Sequence, residues 1–330
     1  MPRYLIAFPV YNAFFETDEM SFKVADVTFL SKASLSKDIP YLNEEKSHFK
    51  ENQIFATVSL CSVMPNAKEQ AYDKCCFATD IFKICSDLYH NNFYNSKKWQ
   101  FDVDKDLVTH GASVCYYKQI DSNNPKNFCV NFHRDRFPTI INSDILLSVN
   151  KWNIKDFESL YNNLYLSGIR KIHKVLKRAC RIYSEHFSIN NIYERVVLLC
   201  TVLDTLATCE RNNKVDQLKK YLPVLVLKYN KLYEALGCFI KEIYALRSAY
   251  IHNAEKHIIS EDDVDKLEKI VYRLILQLVR QSEKYKSIKE IFVDIDKGMF
   301  EPINDNLQDI YVPARYKSII ANKVAPYKKK

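Results

Sequence analysis

The feature that most constrains this chain is a change in the spacing of its apolar residues near residue 150. On the C-terminal side, from about Asp156 to Lys284, apolar residues recur every three or four positions, which places them on one face of a helix. On the N-terminal side they alternate with polar residues or form short runs, as β-strands do. The sequence therefore predicts an α+β fold: a mixed domain over residues 1–150, an all-α bundle over 151–285 and a C-terminal extension over 286–330.

The N-terminal domain is predicted to combine strands with one long helix. After Pro65 the spacing becomes helical, and it predicts a helix from about Asn66 to Asn92. Strands are predicted over Tyr4–Val10, Phe22–Leu30, Ile54–Val63, Ser113–Gln119, Phe128–Phe132 and Asp144–Val149.

Five helices are predicted in the C-terminal bundle. They span about Asp156–Tyr183, Asn191–Arg211, Val215–Leu227, Leu232–Asn253 and Ser260–Lys284. Gly168 weakens the first helix at modest cost, and Pro223 should break or kink the third. Asn191 and Ser260 are N-cap residues, each followed three positions later by an acidic residue. Asn253 tolerates the left-handed conformation that ends many helices.

Composition narrows the class of protein. With only 4 Gly, the chain contains neither of the common Gly-rich phosphate loops. Its 10 Cys form no C-x-x-C pair, so we expect no metal site, no redox site and no cofactor. Charges interrupt every apolar stretch and the N-terminus lacks a secretory pattern, so we expect a cytoplasmic protein with no membrane contact. The formal net charge of +8 fits a polyanionic partner.

The best candidate for an active site is the segment Arg247–His252 (RSAYIH), at the end of the fourth predicted helix. Cleavage of RNA by its own 2′-OH needs no nucleophile from the protein. It needs an acid or base that titrates near neutral pH and a fixed cation at the phosphate. His252 and Arg247 are the residue types for these roles, and Ser248 and Tyr250 can add hydrogen bonds.

A structural interpretation of the same residues stays open. Arg247 falls within the apolar stripe of its helix, where a charge is costly without a partner. That partner can be a buried carboxylate, Asp204 or Glu242, while His252 interacts with the dipole of the helix end. On an ideal helix His252 lies about 140° from Arg247. The two converge only through the reach of the arginine, a distorted helix end or a second subunit.

A second candidate surface lies on the first predicted helix of the bundle. Its cationic residues are spaced three and four apart, which puts most of them on one face: Lys171, Lys174, Lys177, Arg178 and Arg181. Such a face can hold an RNA backbone. It can equally be an ordinary solvated helix face.

These residues resemble a known family. The string Ile243–Asn253 (IYALRSAYIHN) is similar to the Y-x-x-R-S-x-x-x-H-G stretch of Apea-like HEPN domains, and Arg247 and His252 match the R-x4-H motif of HEPN domains. The helix Arg195–Leu206 (RVVLLCTVLDTL) looks like the upstream helix of that group, which ends in aLE-x-L. The resemblance covers about residues 180–280.

Three positions depart from the family pattern. Asn253 replaces the Gly after the histidine, Asp204 replaces the Glu of the upstream helix, and residue 248 is Ser. At the position of Ser248 many active members carry Asn, Asp or His, although Ser is frequent in the Apea-like group.

The resemblance implies a bundle that dimerises and brings two R-x4-H motifs into one cleft. It also implies a metal-independent endoribonuclease, active in antiviral or abortive defence, with residues 1–150 sensing a trigger or selecting the substrate. Some members of the family have lost catalysis and act as dimerisation or RNA-binding modules. Others are held inactive by a regulatory partner protein, so these alternatives remain.

Overall fold

The computed structural model describes residues 2–40, 42, 49–90, 102–103, 116–119, 139–151, 154–165, 169–189, 191–208, 212–227, 232–254 and 259–302. Contacts within the chain divide it into two compact units, Met1–Tyr161 and Asn162–Lys330. The sequence placed the boundary between residues 150 and 151, and the contacts place it inside a helix. Among the described residues, no helix has the length and apolar character needed to cross a membrane.

The N-terminal unit is a mixed structure of strands and helices, as the sequence predicts. Its strands are β1 (Arg3–Phe15), β2 (Ser21–Val24), β3 (Val27–Ser31), β4 (Gln53–Cys61), β5 (Asp102–Val103), β6 (Tyr116–Gln119) and β7 (Thr139–Ile141). Its helices are α1 (Lys32–Leu35), α2 (Met64–His90) and α3 (Ser143–Lys151), followed by α4 (Ile154–Tyr165), which crosses the boundary. The strand predicted over Phe128–Phe132 lies outside the described residues.

Strand β1 organises the sheet. It pairs antiparallel with β4, β5 and β6 and parallel with β7, while β2 and β3 extend the sheet beyond β4. The register with β4 shifts between Pro9 and Phe14, so the backbone there leaves the regular ladder. The buried amide of Gln53 donates hydrogen bonds to the carbonyls of Val10 and Ala13. Those two carbonyls are therefore satisfied where the ladder with β4 is interrupted.

Helix α2 is the centre of this unit. Residues 74–86 are buried without interruption, so every face of the helix is covered over more than three turns. The β2–β3 turn is anchored to it, because Asp26 accepts hydrogen bonds from Lys74 on α2 and from Tyr161 on α4, both at 2.5 Å. Ala25 takes a positive φ of 52° in that turn, and its N–H donates to Glu158.

Two predictions for this unit are wrong. The single strand expected over Phe22–Leu30 is a hairpin of β2 and β3, because the chain reverses at Ala25. The strand expected over Asp144–Val149 is helix α3. Asn142 starts that helix, since its side chain accepts the N–H of Ile145 at 3.0 Å, and a short apolar run does not by itself distinguish a strand from a helix.

The C-terminal unit is a helical bundle. It contains α5 (Lys171–His186), α6 (Ile192–Ala207), α7 (Lys214–Val226), α8 (Tyr233–Asn253), α9 (Glu261–Gln281) and α10 (Ile288–Asp296). Helix α6 contacts α5, α7, α8 and α9 and is the central element. The predicted caps are confirmed: Asn191 accepts the N–H of Tyr193, and Ser260 forms a capping box with Asp263.

The continuous helix predicted over Asp156–Tyr183 is wrong, because α4 and α5 are separate. Arg170 is extended before α5 (φ −88°, ψ 159°). Its guanidinium donates to the carbonyls of Ser282 and Glu283 after α9. These contacts, distant in sequence, fix the start of α5, and no local pattern reveals them.

Smaller differences concern helix ends. Pro223 lies in the last turn of α7, which ends three residues later at Val226. Helix α8 ends on Ala254 in the left-handed conformation (φ 54°), one residue beyond the predicted Asn253. The stretch predicted as a C-terminal extension, residues 286–330, contains helix α10.

A buried charged cluster joins α5, α6 and α9. The Arg195 guanidinium on α6 donates to Glu268 on α9, and the His186 ring lies 3.1 Å from the same carboxylate oxygen. Arg195 also reaches Glu261, which is 67% exposed, at 2.8 Å. Burial acts to raise the pKa of Glu268, but its hydrogen bond with His186 and the charges of His186 and Arg195 outweigh burial. The net result is a lowered pKa.

We expect Glu268→Gln to lower the free energy of unfolding by about 3 kcal/mol, because it leaves the buried Arg195 without its inner carboxylate. The matched control is Glu261→Gln, which removes the exposed partner and should cost at most about 1 kcal/mol. Urea denaturation followed by circular dichroism measures both. Equal costs for the two variants would contradict this assignment.

The same cluster predicts a pH dependence. A carboxyl whose folded pKa is below its unfolded value stabilises the fold above that unfolded value, about 4.5 here. This contribution is lost as the pH falls through the folded pKa. Urea denaturation at pH 7 and at descending pH should therefore show the wild type losing its advantage over Glu268→Gln below about pH 4.5.

Candidate functional site

Helix α8 carries the four residues predicted to form the active site. The helix is held by a buried stripe, at spacings of three and four, of Leu236, Phe239, Ile240 and Ile243. This stripe fixes the rotation of the helix, since it faces the core of the bundle. Arg247, Ser248, Tyr250 and His252 follow in the last two turns and therefore point in different directions.

Arg247 is held by an ion pair. Its Nη1 lies 3.2 Å from Oδ2 of Asp204 on α6, and their side chains are 22% and 11% exposed. The carboxylate that the structural interpretation of the sequence required is therefore Asp204. Glu242, the other candidate, does not pair with Arg247 in the described residues.

Two further side chains meet the same carboxylate. Tyr244 places its hydroxyl 2.7 Å from Oδ1 of Asp204 and 3.1 Å from the Cys200 carbonyl. Lys214, the first residue of α7, places its Nζ 2.8 Å from Oδ2. The guanidinium of Arg247 also lies over the Tyr244 ring, 5.6 Å from its centroid. We call these four residues, Asp204, Lys214, Tyr244 and Arg247, the Asp204 cluster.

Burial sets the ionisation of the uncharged groups at this cluster. The pKa of Tyr244 is raised well beyond its ordinary range, first by burial and then by the neighbouring Cys200 and Asp204. Burial likewise raises the pKa of the Cys200 thiol to about 12, although the charge of Arg247 opposes it. Both groups are protonated near neutral pH. Tyr244 therefore acts as a hydrogen-bond donor, and Cys200 is not a nucleophile.

Tyr250 has a packing role. Its ring stacks on that of Tyr193 at the start of α6, with centroids 5.1 Å apart. Tyr244, further back on α8, meets Cys200 and Asp204 further along α6. Helices α6 and α8 therefore run antiparallel, and Tyr250 fixes the end of α8 against the beginning of α6.

Ser248 and His252 lie on the exposed side of α8. They continue a solvent-facing line, spaced by three and four, of Cys238, Lys241, Ala245, Ser248 and His252. Ile251, beside His252, is 48% exposed. Among the described residues, no hydrogen bond or ion pair joins His252 to Arg247. The structure thus brings Arg247 to Asp204 and leaves His252 facing outward.

The cationic side chains of α5 differ in their exposure to solvent. Lys171, Lys174, Arg178 and Arg181 are exposed and lie on one side of the helix. Arg181 is 3.8 Å from Glu185. Lys177 is half-buried and donates to the Tyr165 hydroxyl at 2.8 Å, with its ammonium over the same ring. The surface predicted from sequence is therefore a line of four exposed cations, which we call the α5 basic stripe.

Sequence reasoning missed Lys214 and Tyr244. Tyr244 is part of the string that resembles the family motif, and its position one turn before Arg247 is a signal that it shares the partner of Arg247. Lys214 follows a loop at the start of another helix, so no periodicity connects it with Asp204.

In the part of the chain that the structure describes, no group of three or more His, Cys, Asp or Glu can hold a metal ion.

No protein-family model matches the chain, and its comparison with curated proteins and with solved structures gives no match either. The resemblance to HEPN domains therefore stays a prediction from the sequence motif.

A double-mutant cycle tests the ion pair at the candidate site. Asp204→Asn and Arg247→Gln should each destabilise the protein, and together they should cost less than their sum by about 1 kcal/mol, because they remove the same interaction. Chemical denaturation of the four proteins measures this coupling. As a control, Lys220→Gln, whose own partner is Asp296, should show no coupling with Asp204→Asn. A coupling of zero for Asp204 and Arg247 would contradict the ion pair.

Proposed function

We propose that this protein is a metal-independent endoribonuclease that acts as a homodimer. The observation that supports the proposal best concerns two residues of α8. Asp204 on α6 holds the Arg247 side chain in place through an ion pair, and His252 is exposed to solvent. A fixed cation and an accessible imidazole are what cleavage by the ribose 2′-OH needs. The resemblance of Ile243–Asn253 to the Apea-like HEPN motif supports the same conclusion.

A second subunit removes the geometric difficulty within one chain. When two copies of α8 cross antiparallel on a two-fold axis between Ala249 and Tyr250, His252 of one copy lies level with Arg247 of the other. Ile251 then lies level with Ser248 of the other copy. This packing covers an apolar side chain that is otherwise exposed. The proposed site is therefore composite, with each cleft using the arginine of one chain and the histidine of the other.

In this site the roles follow from the chemistry of the groups. The 2′-oxygen loses its proton and bonds to the adjacent phosphorus, while the bond from phosphorus to the 5′-oxygen breaks. A 2′,3′-cyclic phosphate remains on one product, and the 5′-oxygen leaves with a proton. His252 takes the first of these protons or gives the second, and water exchanges the other. Arg247 stabilises the charge that develops on the phosphate oxygens, and its ion pair with Asp204 holds it in place beforehand. Ser248 adds a hydrogen bond to a phosphate oxygen, while Tyr250 positions the helix end through Tyr193.

The first test is cleavage of a labelled RNA by the purified full-length protein in EDTA. We expect products that end in a 2′,3′-cyclic phosphate, since the attacking group is the 2′-OH. His252→Ala and Arg247→Gln should each slow the reaction by roughly 100-fold or more, while Lys269→Ala, an exposed control on α9, should not. Equal cleavage by wild type and both site variants would identify a contaminating nuclease and refute the proposal.

Mixing the two inactive variants tests whether the site is composite. A dimer of one His252→Ala chain and one Arg247→Gln chain contains one cleft with both groups intact and one cleft with neither. Random exchange makes half of the dimers mixed, so the mixture should recover about a quarter of wild-type activity. If both groups act within one chain, mixing restores nothing.

A second candidate function is RNA binding without cleavage. Two observations favour it: the ion pair of Arg247 with Asp204 accounts for the arginine structurally, and the α5 basic stripe offers a binding surface that does not involve His252. The stripe extends over about 15 Å, from Lys171 to Arg181, at 1.5 Å per residue, which is long enough to meet successive phosphates of one strand. In this case the bundle is a binding or dimerisation module.

The α5 basic stripe can be tested separately. Lys174→Gln with Arg178→Gln should weaken the binding of a single-stranded RNA and lower the slope of log affinity against log salt by about 1.4, that is about 0.7 per lost phosphate contact. Lys177→Gln is the matched control, because Lys177 is already bonded to Tyr165. Fluorescence anisotropy at several salt concentrations measures the slope. An unchanged slope for the double variant means that the stripe is only a solvated face.

The biological setting is proposed from the family resemblance alone. Antiviral or abortive defence requires the nuclease to be silent until triggered, and the N-terminal unit is the part of the chain available for sensing or for substrate choice. A regulatory partner protein is an alternative means of control.

A further inference from the structure

Lys214 is an element of the Asp204 cluster that the motif does not contain. We infer that Lys214 and Arg247 together form a phosphodiester-binding site, in which Asp204 positions the two cations. The inference rests on the proposed function, because it names RNA as the ligand. It adds a residue from α7 to a site otherwise built on α6 and α8.

The charges at the cluster do not balance. The single carboxylate of Asp204 faces two cations, Lys214 at 2.8 Å and Arg247 at 3.2 Å from the same oxygen. Since both nitrogens contact one atom, they lie within 6.0 Å of each other. One positive charge remains in excess where the cations converge. A phosphodiester carries one negative charge and two free oxygens, so it neutralises that excess and can accept from both cations.

Both Lys214 and Arg247 have further N–H groups available for hydrogen bonds to a ligand. An arginine has five N–H groups and a lysine three, and here one donor of each is used on Asp204. The Nε of Arg247 is buried and has no hydrogen-bond partner among the described residues. Lys214 is 39% exposed, so the cluster opens to solvent on the side of α7.

The start of α7 adds to the same field. Lys214 is the first residue of the helix, and Asn213 before it takes φ 57° and makes no side-chain cap. The side chain of Asn213 therefore does not cap the first N–H groups of the helix, and such groups favour an anion. Asp216, in the first turn, is exposed and partly offsets this field. The helix end adds a favourable field for an anion, but the inference rests on the two cations paired with Asp204.

The ion pair also explains why the cations stay in place without ligand. Two positive charges so close together repel each other, and the carboxylate between them offsets that repulsion. Tyr244 fixes the other oxygen of the carboxylate at 2.7 Å. The carboxyl group therefore keeps one orientation, and both cations are positioned before RNA arrives. Such preorganisation reduces the entropy lost on binding.

Binding of an RNA oligonucleotide with 2′-O-methyl sugars tests the inference, because this probe binds but cannot be cleaved through its 2′ position. In EDTA, Lys214→Ala should bind about tenfold more weakly than wild type, the effect of one lost hydrogen bond to a charged group. The slope of log affinity against log salt should fall by about 0.7. Lys214→Arg should retain most of the affinity. Lys219→Ala, which removes the same charge from the exposed side of α7, is the matched control.

The outcomes separate the two proposals. If Lys214→Ala and Lys219→Ala bind with equal affinity and equal slope, Lys214 does not contact phosphate and the inference fails. If Lys214→Ala weakens binding but the wild type does not cleave unmodified RNA, the phosphate site stands and the proposed nuclease fails. If the wild type does not bind the 2′-O-methyl probe, the inference fails, and cleavage of unmodified RNA decides the proposed nuclease separately. Thermal unfolding of each variant shows whether a loss of binding reflects a loss of fold.

Discussion

A guanidinium that a helix turns toward the core must have a negative charge beside it, and in the C-terminal unit Asp204 provides that charge. The Asp204 carboxylate holds other side chains besides Arg247. It orients Tyr244, draws the start of α7 toward α8 through Lys214, and thereby joins three helices at one point. The desolvation cost of these charges is offset by their mutual contacts. Structural and functional interpretations of Arg247 are therefore compatible, because an ion pair that holds an arginine also prepares it for a phosphate.

A second buried carboxylate, that of Glu268, pairs with cationic side chains at the other side of α6. Glu268 receives Arg195 and lies beside His186, whereas Asp204 leaves its cations partly exposed. The difference in accessibility separates the roles of the two clusters. The charges around Glu268 are enclosed and stabilise packing, while those around Asp204 reach solvent and can meet a ligand. Burial is thus the observation that distinguishes the two clusters, since both are built from similar residue types.

The sequence predicted most elements whose pattern is long or whose caps are local. Helix α2, the helices of the bundle from α6 to α9 and the caps at Asn191 and Ser260 all follow from spacing and capping chemistry. What it did not predict depends on contacts distant in sequence. The start of α5 is set by carbonyls more than a hundred residues away, and α3 is too short for its period to be distinctive. At the candidate site the cost of a buried charge required a carboxylate for Arg247, either Asp204 or Glu242, and the structure has Asp204 there. The position of Lys214 was not predicted, because nothing in its own helix requires it to meet Asp204.

The pairing of strand β1 has a consequence for synthesis. Near Pro9, β1 already pairs with Phe55 on β4, whereas its far end pairs with β7, so that Ala13 lies opposite Thr139. Strand β1 is therefore synthesised well before β7, and the edge that β7 covers stays open until that segment emerges. An apolar strand with an open edge is the usual starting point of association between nascent chains. In a crowded translation reaction the N-terminal unit should thus depend on chaperones until β7 has emerged and covers that edge.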